Sequence, residues 1–195
     1  FATIFDFQSQ KEIQHFEDKA SGKVCEGCNT KWSMNRNQKL IATTSSSNNL
    51  ILWDAKTGKI KKTLDDLKGN VDQMLFIHEG NKLLVSIDDK IKVYDLNTGR
   101  KILSMSQSFL EDYEIRIAPN QHFFALPNEM NSIAFWSDQT LKKKKVLRGF
   151  LNREKDDGLR FRYDNWIDPA ILKYISMSRK FAVSPNGEHI VIGNV

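Results

Sequence analysis

Apolar residues recur at every second position in short runs along most of this chain, and polar clusters separate the runs. In the stretch NNLILWDAKTGKIKKTL, Leu50 and Leu52 share one side of an extended segment, and Trp53 takes the other. A period of two is that of a β-strand, whose side chains alternate between faces. Apolar residues on both sides mean that both faces must be covered, as in a sheet held between neighbours. The segment ends in Asp54-Ala55-Lys56-Thr57-Gly58, with an Asp to cap a turn and a Gly for a position of positive φ. A short, lysine-rich strand follows, and charge on an outer strand opposes edge-to-edge aggregation.

The unit is printed more than once. DKIKVYDLNTGRKILSM places Tyr94-Asp95 and Thr98-Gly99 in the same frame, forty-one residues on. NSIAFWSDQTLKKKKVL places Trp136 a further forty-two on, with Asp138 close behind it, and ATIFDFQSQKEIQHF puts Phe5-Asp6 forty-eight before Trp53. Counting back one and three from each aromatic gives Ile4 and Ala2, Leu52 and Leu50, Val93 and Ile91, Phe135 and Ile133. Leu52, Val93 and Phe135 are therefore expected at equivalent buried positions. The segments between these hairpins also correspond: KWSMNRNQKLIATTS, MLFIHEGNKLLVSID, IRIAPNQHFFALPN and FAVSPNGEHIVIGNV each read strand, polar turn, strand. Each unit is thus four short antiparallel strands.

This sequence resembles the WD40 family of β-propellers. The resemblance rests on a period of about 40–45 residues and on a repeat signature of Phe5, Asp6, Trp53, Asp54, Gly58, Tyr94, Asp95, Gly99, Trp136 and Asp138. The Ser184-Pro185-Asn186-Gly187 turn adds to it. It departs from the family in having no Gly-His dipeptide ahead of any unit, and the family's Asp before the third strand has a clear match only at Asp88. The resemblance implies an all-β fold, a β-propeller of four-stranded antiparallel blades. The expected partition is a half blade over about residues 1–20, blades over about 24–64, 70–105 and 110–147, an irregular basic insert over about 148–179, and a half blade over 180–195. Propellers close with about four to eight blades, so a portion of a larger propeller is expected. The first residues carry no initiator Met and no signal-peptide pattern, and read as the interior of a longer chain.

The 195 residues carry 29 Lys and Arg against 24 Asp and Glu, a formal charge of +5, with a pI near 9.1. Such a balance permits phosphate or acidic partners without requiring them. No apolar run approaches the length of a membrane helix, and two cysteines cannot build a disulfide framework. An intracellular site, cytoplasmic or nuclear, is expected. Cys25 and Cys28 form a C-x-x-C, but a closed zinc site takes four ligands, and there is no second pair. His15, His78, His122 and His189 are scattered over different units, and His122 and His189 are expected at equivalent positions after the Pro-Asn turns. The ten glycines form no phosphate-cradling loop. No catalytic, metal or cofactor set is expected, and the chain reads as a non-enzyme.

The least repeat-like stretch begins in the run Lys142 to Lys145 and continues past Arg148. It interleaves Arg153, Arg160 and Arg162 with Phe150, Phe161, Tyr163 and Trp166. Arg, Tyr and Trp are common anchors at protein interfaces, while cations and rings together also bind single-stranded nucleic acid. A long connection packed on the propeller side uses the same residues. Arg153, Arg160, Phe161, Arg162, Tyr163 and Trp166 are the candidate partner-binding residues. By resemblance, the expected function is a non-catalytic scaffold joining other proteins in a multiprotein assembly. The alternative is an RNA-associated propeller subunit of a ribonucleoprotein particle.

Overall fold

The structure is a computed structural model, and it describes residues 2–16, 31–45, 49–64, 67, 69–88, 90–106, 115–118, 122–127, 132–148, 181–184 and 189–192. The chain divides into two compact units, Phe1–Ser106 and Gln107–Val195.

In the first unit, β1 (Ala2–Phe5) and β2 (Glu12–Phe16) form an antiparallel pair. A four-stranded sheet follows from β3 (Trp32–Met34), β4 (Leu40–Thr44), β5 (Leu50–Asp54) and β6 (Ile60–Leu64). A second one is built from β7 (Val71–Ile77), β8 (Lys82–Ile87), β9 (Lys90–Asp95) and β10 (Lys101–Ser106). In the second unit, β11 (Arg116–Ala118), β12 (Phe123–Pro127), β13 (Ser132–Ser137) and β14 (Lys143–Arg148) make the third four-stranded sheet, and β15 (Phe181–Val183) pairs with β16 (Ile190–Ile192). All the pairings are antiparallel, and each sheet keeps chain order. The one helical element among the described residues is a 3-10 turn at His78–Gly80. The fold is all-β and blade-like, as the period of two predicts.

The register repeats from sheet to sheet. Leu52 lies opposite Ala42 and Lys62, Val93 opposite Leu84 and Leu103, and Phe135 opposite Ala125 and Lys145. Leu52 and Val93 are buried, whereas Phe135 is only half-buried. Phe135 meets Phe123 edge-on at 5.5 Å and packs beside Ala125, Ile133 and Phe181, so the expectation of full burial holds for two of the three.

The alternation sends each β5 residue to a different neighbour. Leu50 and Leu52 join Ala42 and Leu64 in a core shared with Met74, Leu83, Val85 and Tyr94 of the second sheet. Ile51 and Trp53 turn the other way, with Ile41, onto Ile4 and Phe16 of the β1–β2 pair. Trp53 meets Phe16 edge-on at 5.7 Å and donates from Nε1 to Thr43 Oγ1 at 2.8 Å, so its one polar atom is satisfied inside the core. Burying a side chain of this size stabilises by about 1.5–3 kcal/mol. Adjacent sheets therefore depend on one another's faces.

The turns between the third and fourth strands lock in the same way. Gly58 and Gly99 sit at φ +66° and +74°, a region that costs an L-residue about 1–2 kcal/mol. Each also lies against the outer strand of the preceding sheet: Gly58 against the Gln14 side chain, Gly99 against those of Lys62 and Leu64. A methyl group at either position meets both obstacles.

Candidate interaction surface

The chemistry on view lies at the β-turns and the outer strands, because the sheet faces are occupied by packing. In the turn after β5, Asp54 Oδ1 accepts from the backbone N–H of Lys56 and Thr57 at 3.1 and 2.9 Å and from the Thr57 hydroxyl at 3.0 Å. In the turn after β9, Asp95 Oδ1 accepts from the Thr98 N–H and hydroxyl at 2.8 and 2.9 Å. After β1, Asp6 Oδ1 accepts from the Ser9 N–H at 2.6 Å. Donors aimed at a carboxylate favour its charged form. The Thr57 N–H and hydroxyl, helped by Lys61, hold the Asp54 carboxyl below its ordinary value, and the Thr98 pair does the same for Asp95. The Ser9 hydroxyl and N–H act likewise on Asp6.

In the third sheet this place is filled differently. Ser137 N bonds to Lys142 O, Leu141 N bonds to Ser137 O, and Thr140 N donates to Ser137 Oγ at 3.2 Å. Ser137 therefore occupies the position of Asp54, and Leu141, at φ +56°, that of Gly58. Asp138 stands one residue on, where Ala55 stands in the first sheet: its N–H bonds to His122 O as that of Ala55 bonds to Lys39 O. The Asp138 side chain is buried, with Oδ2 3.5 Å from His122 Nδ1. The same register separates the two histidines of the inner turns. His122 matches Lys39, whereas Ser184 N bonds to His189 O as Asn35 N does to Leu40 O, so His189 sits one position later.

The serine changes the charge of the outer strand. In the first sheet, Lys61 Nζ lies 3.5 Å from Asp54 Oδ2, and Lys62 Nζ reaches Asn97 O at 3.4 Å. The corresponding residues of the third sheet are Lys144 and Lys145, and Lys142 corresponds to Lys59. All three, with Lys143, are exposed. Lys142, Lys144 and Lys145 have no ion-pair partner among the described residues; Ser137 denies Lys144 the carboxylate that Lys61 finds at Asp54, while the counterparts of the other two, Lys59 and Lys62, make no ion pair with Asp54 either. Lys143 Nζ stands 5.4 Å over the Trp136 ring, while Phe124 stacks on Trp136 at 6.4 Å. Trp136 is thus sandwiched. Its Nε1 is buried without a hydrogen-bond partner among the described residues, because Leu126 takes the place of Thr43.

Several sequence expectations fall elsewhere. Arg153, Arg160, Phe161, Arg162, Tyr163 and Trp166 lie outside the described residues, as do Cys25 and Cys28. Asp88 accepts from the Asn70 N–H at 3.0 Å, which ties the entry of β7 to the turn between β8 and β9. Exposed apolar side chains include Phe5 at 61%, Phe7 at 95% and Ile13 at 60% on the β1–β2 pair, and Trp32 at 68% on β3. The sequence pattern did not single out Trp32. No helix among the described residues is long and apolar enough to cross a membrane.

No family model matches the chain. Over 119 residues it is 23% identical to pre-mRNA-processing factor 17 of Homo sapiens, which covers 58% of this chain and 21% of that protein. The Mus musculus protein of the same name gives the same figures. Among solved structures, the chain resembles the crystal structure of the Myceliophteria thermophila Cps50 (Swd1) β-propeller domain, with a TM-score of 0.58 and 18% identity. That likeness covers 87% of this chain and 52% of the other. The chain spans about a fifth of the length of the curated relatives it matches and about half of that propeller.

Proposed function

We propose that this chain, a WD40-type β-propeller in fold with degenerate repeats, serves as a non-catalytic platform for other proteins within a multiprotein assembly inside the cell. The observation that carries this reading is how the sheets use their residues. The apolar positions of β4, β5, β8 and β9 are spent on neighbouring sheets, and what remains for recognition is turns, outer strands and connections. A rigid frame with variable edges suits binding, and function on such a frame lives in the sites it carries. The basic-aromatic stretch supplies the anchors, with Arg160, Arg162 and Trp166 foremost and Arg153, Phe161 and Tyr163 beside them.

A second reading follows from the likeness to pre-mRNA-processing factor 17. It makes the chain an RNA-associated subunit of a ribonucleoprotein particle, cytoplasmic or nuclear, with the same stretch facing RNA. The protein reading is preferred, because Arg, Tyr and Trp in one segment suit either role whereas the sheet design favours a platform. The test is co-purification of the intact protein with its assembly after replacing Arg160, Arg162 and Trp166 by Ala. Loss of about 2 kcal/mol, roughly thirtyfold in affinity, is expected where an anchor is desolvated. Partners that stay bound while the melting temperature falls would show that these side chains pack on the fold instead.

A further inference from the structure

We infer that the outer strand of the third sheet, β14, is a docking edge for an acidic, extended segment of a partner protein. The carboxylates of that segment would be taken by Lys142, Lys144 and Lys145. The inference rests on the reading of the chain as a protein-binding platform and names one partner class for it.

The first observation is a run of exposed charge that no acid in its own turn answers. The repeated turn carries an acid at Asp6, Asp54 and Asp95, and in the first sheet that acid meets the lysine of the next strand, Lys61, at 3.5 Å. In the third sheet Ser137 stands there, and its lysine strand is the richest of the set. Three exposed cations without a counter-charge repel one another, and an anionic partner removes that cost.

The second observation is the edge itself. Among the described residues β14 pairs with β13 alone, and it is the outer strand of the third sheet, the place where an extended segment can add. An extended peptide rises 3.2–3.4 Å per residue, the rise of β14 itself, so carboxylates spaced along it meet lysines spaced along the strand. The register shift between Phe135 and Trp136 makes Lys144 the extra residue of a bulge, left out of the ladder pairing.

The third observation separates a protein partner from RNA. Single-stranded RNA is held by cations together with aromatic faces open to bases. At this edge the nearest ring, Trp136, has Phe124 on one face and Lys143 toward the other. Charge is offered here without a stacking platform, which suits carboxylates better than nucleotides.

The test measures binding of a fluorescein-labelled ten-residue peptide of alternating glutamate and valine to the intact protein, by anisotropy at low salt. Replacing Lys142, Lys144 and Lys145 by Gln, with Lys143 kept over Trp136, is expected to weaken binding at least tenfold while the melting curve holds. A second variant, Ser137→Asp, leaves every lysine in place and restores the acid found in the first sheet. It is expected to weaken binding several-fold, and it keeps the test decisive if the triple variant misfolds. A peptide with glutamine for glutamate, and one with alternate backbone amides methylated, should each bind more weakly than the parent. Equal affinity of wild type and both variants overturns the inference. So does oligouridylate displacing the peptide at lower concentration than the peptide displaces itself, which would make the edge a phosphate site. No binding of the peptide to wild type also overturns it, and the lysines are then a solvated guard against edge pairing. If the peptide fails while the Arg160, Arg162 and Trp166 replacement still strips partners from the assembly, the platform reading stands and only this edge is withdrawn.

Discussion

A single hydroxyl or carboxylate decides how each copy of the repeated turn behaves. Asp54 and Asp95 are held in the charged form by Thr57 and Thr98, so their carboxyls titrate below the ordinary value of 3.8 in the folded chain. The unfolded chain therefore binds more protons in this window, and stability rises with pH across it. The contribution is fully present above the unfolded value, near pH 4, and is lost as the pH falls through the lowered folded values. Replacing both acids by Asn removes the titration and keeps an acceptor for the Thr donors. The expected outcome is a melting temperature that drops less between pH 5 and pH 3 in the double variant than in wild type. Parallel acid limbs for the two proteins would show that other carboxylates set the acid response. The same scale explains two tryptophans with different surroundings. Trp53 finds Thr43, whereas Trp136 meets Leu126 and rests on Phe124 and Lys143 instead.

At the scale of the strand, equivalent places in the repeat carry unequal weight. Leu52 is buried between two sheets, so Leu52→Ala removes contacts from both and leaves a cavity, at a cost of about 2–5 kcal/mol. Phe135 holds the same register but is half-buried, so Phe135→Ala is expected to cost less despite the larger side chain. Denaturant melts of the two variants check the order, and a larger loss at Phe135 would mean that its exposed side is covered in solution. The strands and their two faces were legible from sequence because the period of two and the Asp-x-x-Thr-Gly turns state them locally. Two details take counting rather than residue type. In Phe135-Trp136-Ser137-Asp138, Ser and Asp are both good turn-capping residues standing side by side, but the frame of Trp53-Asp54 puts Ser137 directly after the aromatic, and the hydrogen bonding agrees. His122 stands three residues after Pro119 and His189 four after Pro185, which gives their offset. The acid missing from the third turn could have been found by the same alignment of the four turns. The exposure of Trp32 could not, because it depends on what lies over the inner strand rather than on any run of residues.

At the scale of the whole molecule, the question is whether the +5 charge acts as a field for nucleic acid or as separate local sites. An excess of 29 basic over 24 acidic residues is modest, and part of it is spent locally, as at Lys61 with Asp54 and Lys62 on Asn97. Lys142, Lys144 and Lys145 are not spent in this way. A single strand of RNA lying on these three would release counterions in proportion. The slope of log affinity against log salt would then be about −2, at ~0.7 per phosphate. A basic-aromatic stretch that also gripped RNA would steepen it further, and each base stacked on a ring would add about 1–3 kcal/mol. The platform reading leads to a different expectation: at about 50 mM salt, the intact protein gives no saturable binding to a single-stranded RNA of mixed sequence. The measurement is a salt titration of RNA binding, repeated with Arg160, Arg162 and Trp166 replaced and again with the three lysines replaced. Saturable binding with a steep slope that flattens in the first variant would transfer the basic-aromatic stretch from protein to RNA. Flattening only in the second would place the phosphates on β14. A flat baseline in all three leaves the charge to protein partners, where a field of this size speeds encounter and the buried anchors set affinity.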